Sequence, residues 1–310
     1  MASTPVVGRR PPARSERPAA RSSRPPARSS RPPVRPARRR RRRDRRPRWL
    51  LAVLVGLVAL VALAWETEKA SPEPVAGRCT LPGSDLTLTT AQAANAATIA
   101  AVARSRGLPP RATVIALATA QQESRLRNLD YGDRDSLGLF QQRPSQGWGT
   151  EAQVQDPVYA AGKFLDGLVE VPGWETGRLT EVSQRVQRSG FPEAYQQWEM
   201  MATQLAAALL SDVPAQLSCS YTPADATGPV DERAAAVADV VRREAGRPTV
   251  RPGGVVSVAD AGWPEASWAV AHAERLQLTG VRFADWSWSP DGGWTQTGAD
   301  ARGLQLQLAT

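Results

Sequence analysis

The sequence predicts a mainly α-helical domain of α+β type, preceded by a disordered basic tail and one transmembrane helix and followed by a small α/β domain. Three observations carry that expectation. Arginine is concentrated in the first 48 residues, an uncharged apolar run follows at once, and the remainder holds helical patterns between its two cysteines before turning β-rich. The boundaries follow from these shifts: tail 1–48, span 49–65, linker 66–78, helical domain 79–219, linker 220–228 and α/β domain 229–310.

Residues 1–48 are Arg, Pro, Ser and Ala in low complexity and end in ARRRRRRDRRPR. Their 18 arginines against Glu16 and Asp44 give +16, and subtracting that from the chain's +9 leaves −7 for everything after Arg48. A tract with so few large apolar residues cannot bury a core and is expected to be disordered. Its charge fits either nucleic acid or the cytoplasmic flank of a membrane segment. The next stretch favours the flank, so no nucleic-acid partner is expected. WLLAVLVGLVALVALAW, Trp49–Trp65, is 17 residues without a charge, tryptophan at each edge and arginine on one side only. That pattern predicts a single-pass signal-anchor, with the N-terminus cytoplasmic and the C-terminus extracellular. The alternative is a cleaved signal peptide, because Ala62-Leu63-Ala64 fits a small-x-small cleavage site and would release a secreted chain.

Outside the cell two cysteines most simply pair. Cys79 and Cys219 would then tie the two ends of the helical domain together. Within it, Thr90 is placed to cap a helix reading AQAANAATIAAVARSR that Gly107 stops. Pro109-Pro110 start a second, RATVIALATAQQESRLRNL. Residues 130–150 carry Gly132, Gly138, Pro144, Gly147 and Gly149, which reads as a folded loop or small hairpin. Helical patterns resume from Asp156, in TEVSQRVQRSG and in FPEAYQQWEMMATQLAAALL. After residue 229 a helix, the strand GGVVSVAD, another helix, and two strands around the turn SPDGG read as α/β.

The chemistry centres on QQESRLRNLDYGDRDSLGLFQQRPSQGWG, residues 121–149. Ile115, Thr119, Ala120 and Glu123 share one helical face, apolar until it reaches the glutamate. A carboxyl placed there is desolvated, which raises its pKa as a general acid near neutral pH requires. Taken alone, a glutamate late in a helix is more simply a solvated surface residue. Other chemistries fail on inventory. His272 is the only histidine, in an amphipathic helix, and reads as structural; two cysteines exclude a Cys₄ zinc site; no phosphate-binding glycine loop is present. No cofactor or metal is expected.

The order Glu123-Ser124, a polar stretch, then Gly138-Leu139-Phe140-Gln141 resembles the lysozyme-like superfamily. It is similar to soluble lytic transglycosylases, goose-type lysozymes and secreted actinobacterial cell-wall proteins, with Phe where Met is usual. VQDPVYAAGKFLDGL and VQRSGFPEAYQQWE extend the likeness over residues 85–210. The resemblance implies cleavage of peptidoglycan glycan strands at the β-1,4 bond between N-acetylmuramic acid and N-acetylglucosamine. Glu123 would be the catalytic acid. Ser124, Gln141 and Gln142 would line the sugar cleft, and Tyr195 would stand for the cleft tyrosine, although the Ala-Tyr-Asn-Ala-Gly surroundings are missing. Trp148 would stack on a sugar or act as a hydrophobic lid.

Reaction type turns on the aspartates. An inverting hydrolase needs a second carboxylate to activate water, whereas a transglycosylase needs one carboxylate alone. Asp133 is the first candidate base; for at least two of Asp130, Asp133 and Asp135 a turn-forming role is the simpler reading. Expected partners are peptidoglycan, the membrane through 49–65, and cell-envelope proteins. The rival reading is a non-catalytic peptidoglycan-binding scaffold attached to a conjugation or secretion apparatus. Trp286, Trp288 and Trp294 on the C-terminal hairpin either bind glycan or a partner, or pack the hairpin on its helix.

Overall fold

The computed structural model describes residues 77–188 and 193–309. The tail 1–48, the apolar stretch 49–65 and the linker up to residue 76 lie outside the described residues, and so do the expectations placed on them. Eight helices are described: α1 (Thr90–Ser105), α2 (Pro110–Ser124), α3 (Glu151–Val154), α4 (Pro157–Val169), α5 (Leu179–Gln187), α6 (Glu199–Leu210), α7 (Val230–Glu244) and α8 (Trp263–His272). The strands are β1 (Arg78–Thr80), β2 (Thr87–Thr89), β3 (Ser218–Ser220), β4 (Pro248–Arg251), β5 (Val255–Val258), β6 (Leu278–Ser289) and β7 (Gly293–Leu308).

Two features of the expected fold class are corrected. The described residues are 44% helix and 21% strand, so the architecture is mixed helix and sheet, not mainly helical. Every strand pairing is antiparallel, in sheets ordered β2-β1-β3 and β4-β5-β7-β6, so the C-terminal stretch lacks the parallel sheet of an α/β domain. The expectation of a single-pass membrane protein is corrected as well: no helix among the described residues is long and apolar enough to cross a membrane. The longest, α1, has 16 residues, short of the roughly 20 a span needs, and Asn95, Thr98 and Arg104 interrupt it.

Helix α1 organises the core. Twelve of its residues are buried, from Thr90 to Ala103, because it packs on α2 and α4 on one side and on α8 on the other. A helix buried on several faces shows little amphipathicity, and its run of alanines lets three neighbours approach closely. Its cap is Thr89, not Thr90: the Thr89 hydroxyl accepts from Gln92 N while the Gln92 side chain accepts from Thr89 N at 2.9 Å, a reciprocal capping box. The Thr90 hydroxyl is turned instead to Glu274, near the C-terminal end of the fold.

That contact is one of several joining residues 79–219 to 229–310. Asn95 accepts from Arg275 at 2.8 Å, Thr98 donates to Glu244 at 2.7 Å, and Arg104 pairs with Glu265. One hydrophobic cluster runs from Cys79 through α1 to Leu308, and the described residues fall within one compact unit. His272 lies fully buried in this seam. Its Nδ1 is 3.0 Å from the Trp268 carbonyl, an acceptor only, so Nδ1 carries a proton. Desolvation brings its pKa down to about 4, partly countered by Glu244.

The cysteines form a disulfide that staples the directly paired residues Cys79 of β1 and Cys219 of β3. On the hairpin, Trp288 is fully buried, Trp263 packs edge-on against Phe283, Trp286 and Trp294, and the Trp294 indole donates to Leu217 O at 2.9 Å. These tryptophans pack β6 and β7 onto α8 and β3.

Candidate active site

Glu123 sits one residue from the end of α2, and the way that helix ends fixes its direction. Arg125 and Leu126 both take left-handed backbone, φ 56° and 57°, a costly conformation for non-glycine residues at about 1–2 kcal/mol each. The surroundings hold them there. Leu126 is fully buried, its N–H reaches back to Ala120 O at 3.2 Å, and Asn95 and Gln92 of α1 donate to the carbonyls of Leu126 and Arg125. The helix therefore stops sharply, leaving Glu123 facing a cleft.

The opposite wall is GLFQ. Leu137 and Gln142 exchange backbone hydrogen bonds at 3.0 Å in each direction, so Gly138 to Gln141 form the loop of a very small hairpin. Gly138 is obligatory on two counts. Its φ is +77°, and a Cβ there would meet the Val154 carbonyl at 2.2 Å. Leu139 and Phe140 point into the core, where Phe140 stacks on Phe164 of α4 with ring centroids 4.7 Å apart. Gln141, also left-handed at φ 47°, faces the cleft, and its amide donates to Tyr131 O and Gly138 O.

The cleft encloses about 390 Å³, with Glu123, Asp133, Gln141, Gln142, Trp148 and Gln187 among its walls. The Glu123 carboxylate is held on one oxygen. Tyr195 donates to Oε1 at 2.6 Å and Gln187 Nε2 to the same oxygen at 3.2 Å. Gln187 Nε2 also donates to Phe140 O at 2.7 Å, tying glutamate and GLFQ loop together. Burial raises the Glu123 pKa above the ordinary glutamate value, and the bonds from Tyr195 and Gln187, which favour the charged form, offset part of that rise. Tyr195 is fully buried. Its segment is pinned to α2 because the Trp198 indole donates to Gln122 Oε1 at 2.7 Å.

The remaining sequence-based site residues divide. Trp148 is half-buried in the cleft wall, its loop steadied by Tyr159 donating to Trp148 O at 3.3 Å. Gln142 lines the cleft but is buried, and its amide donates to Ala160 O. Ser124 is buried and is not among the cleft-lining residues; its hydroxyl lies 2.7 Å from Leu139 O and 3.0 Å from Ala120 O and binds the helix end to the GLFQ loop. Asp135 is taken up by structure: Arg143 Nε and Ser145 N each donate to it at 2.8 Å, which holds its carboxyl far below the usual range. Asp133 is exposed and lines the same cleft as Glu123. Asp130 is exposed and is not among the cleft-lining residues.

Sequence reasoning passed over Gln187 and Arg188. Both come from the last turn of α5 and its left-handed cap, within the VQRSG stretch, and both line the cleft. A glutamine at the end of a helix carries no pattern that marks it; only the fold brings it to Glu123. Among the described residues no group of three or more His, Cys, Asp or Glu side chains is placed to hold a metal. No protein-family model matches the chain, and no curated protein matches it in sequence.

Proposed function

We propose that this chain cleaves the glycan strand of peptidoglycan at the β-1,4 bond between N-acetylmuramic acid and N-acetylglucosamine, as a lytic transglycosylase with Glu123 as its single catalytic carboxyl. The supporting observation is the one-sided clamp on Glu123. Two donors occupy Oε1, and no described residue donates to Oε2, so the proton of the neutral acid belongs on Oε2. Burial keeps that proton in place at higher pH than an exposed glutamate would.

In the reaction, Oε2–H protonates the glycosidic oxygen as its bond to the muramic C1 breaks. The C6 hydroxyl of the same sugar attacks C1, and its proton passes to the Glu123 carboxylate, which restores the acid. The products are a 1,6-anhydro ring and a free 4-hydroxyl, with no water consumed. While Glu123 is charged, the Tyr195 and Gln187 donors stabilise it. Gln141 and Trp148 supply an amide and an aromatic face to the sugars.

A lysozyme-type hydrolysis is the second reading, because Asp133 is a second carboxylate on the cleft wall that could activate water. Digestion of purified peptidoglycan by the full chain separates the readings. Mass spectrometry of fragments ending in 1,6-anhydro rings supports the lyase. Reducing ends overturn it in favour of hydrolysis, and binding without any release makes the chain a scaffold.

A further inference from the structure

A second concavity, of about 540 Å³, shares Gln146, Trp148 and Arg188 with the catalytic cleft. It lies between α4 and α5. Lys163, Gly167 and Glu170 come from successive turns on one side, and Arg185, Val186 and the cap residue Arg188 from the other. Its floor is apolar, formed by Gly167 and the buried Val171 and Val186. Its charge is uneven. Asp166 is taken by Arg106, 2.8 Å away on the neighbouring helix. The side chains of Lys163, Arg185 and Arg188 have no hydrogen-bond or ion-pair partner among the described residues. Three cations and one uncommitted carboxylate, Glu170, therefore line a pocket that adjoins the cleft holding Glu123.

A neutral sugar has no use for three cations. Guanidinium and ammonium groups bind carboxylates through charge-assisted hydrogen bonds. The single uncommitted acid on the rim argues against a polymer carrying only anions and suits a ligand that is itself mixed in charge. We propose that this pocket binds a carboxylate on a short zwitterionic peptide branch of the glycan, making the substrate the peptide-bearing strand and not the bare polysaccharide. The inference rests on the glycan-cleaving reading of the adjoining cleft. Trp148, in the wall of both concavities, would separate sugar from peptide.

Calorimetric titration of the full chain at low ionic strength tests this, with N-acetylmuramoyl-tripeptide ending in a free diamino acid as the probe. The comparison ligand is the same compound with every carboxylate amidated. The acid form is expected to bind at least tenfold more tightly, and Lys163→Gln with Arg185→Gln to erase that difference while Glu123→Gln preserves it. Arg185 is exposed and Lys163 half-buried, neither has a partner among the described residues, and an unchanged thermal melt checks that the variant folds. Equal binding of acid and amide, or a difference that persists in the double variant, overturns the proposal. So does inorganic phosphate binding as tightly as the acid probe, which would assign the pocket to a phosphate. The probe has no glycosidic bond to cleave. A failure of glycan cleavage would therefore sink the catalytic reading alone, and equal binding would sink the pocket alone.

Discussion

The phenol of Tyr195 donates a 2.6 Å hydrogen bond to Oε1 of Glu123, across 72 positions of sequence. With Gln187 on the same oxygen, the carboxyl becomes chemically two-ended: one oxygen anchored, the other free to carry and deliver a proton. Burial and these donors act in opposite directions on its acidity, and burial is the larger effect. A group raised in this way keeps its proton to higher pH than an exposed glutamate, yet its conjugate base is not left without stabilisation.

Glu123→Gln is expected to lower glycan cleavage by about 10²–10⁴-fold, the usual contribution of a general acid, measured by zymogram and by fragment release. The amide keeps Oε1 as acceptor for Tyr195 and Gln187, so the fold is retained. The folded state holds the Glu123 proton more tightly than the unfolded chain does, so the glutamate contributes most stability below its ordinary pKa and loses it as pH rises through the raised folded value. The variant is therefore expected to melt about 1–3 °C higher than the native chain at neutral pH, with the gain fading in acid.

Tyr195→Phe removes a donor that favours the charged form. The alkaline limb of the pH–rate profile, set by loss of the Glu123 proton, is expected to move to higher pH. The maximal rate is expected to fall roughly 10–100-fold, matching the 1.5–3 kcal/mol typical of a hydrogen bond to a charged group. An unshifted limb would mean that the phenol does not sense the titrating group.

Asp133→Asn discriminates the two reaction types through product identity. In the transglycosylase reading, native and variant proteins both release fragments ending in 1,6-anhydro rings. Reducing ends from the native protein that disappear in the variant would make Asp133 the water-activating base.

The sequence made some of this legible and hid the rest for physical reasons. Glu123, the GLFQ loop and the helices around them are marked by local signals: an apolar face, a glycine with forced backbone, prolines at helix starts. The sheet β2-β1-β3 is not, since three-residue strands carry no period and are held by a disulfide between positions 140 apart. Strand β4 is a four-residue edge with mostly exposed side chains and shows no alternation. Residues 229–310 read as a separate unit because Thr98, Asn95 and Arg104, the side chains that join them to α1, look from sequence like ordinary polar positions of a helix. The place of Ser124 was hidden for a related reason: a serine next to Glu123 carries no local pattern, and only the 2.7 Å approach to Leu139 O shows that it closes the helix onto the loop.

The disulfide closes a loop of 140 residues, worth roughly 4–5 kcal/mol in the chain-entropy treatment. Replacing Cys79 and Cys219 together with serine is expected to lower unfolding free energy by about 2–5 kcal/mol in denaturant titration. The effect should be felt first where β1 and β3 join the ends of residues 79–219. A loss below about 1 kcal/mol would show that the sheet and the packing on α1 already restrain those ends.

The seam between α1 and the C-terminal helices should be the acid-sensitive part of the fold. His272 is fully buried and neutral, with Glu244 Oε2 3.5 Å from Nε2, Arg275 nearby and Trp268 stacked on its ring at 4.3 Å. Glu244 is itself occupied by Thr98 at 2.7 Å and the Trp268 indole at 2.9 Å, so protonating the histidine would disturb donors already placed. Its folded pKa of about 4 lies below the ordinary 6.5, so between those values the unfolded chain binds the extra proton and stability falls with pH. Above pH 6.5 the contribution is complete, and below pH 4 nothing further is lost to this group. The total is of order 3 kcal/mol at most. Thermal melts of the native protein are expected to decline across that window, and His272→Gln to decline less steeply while starting from a lower Tm. Equal slopes in the two proteins would assign the acid sensitivity to other groups, leaving His272 as packing alone.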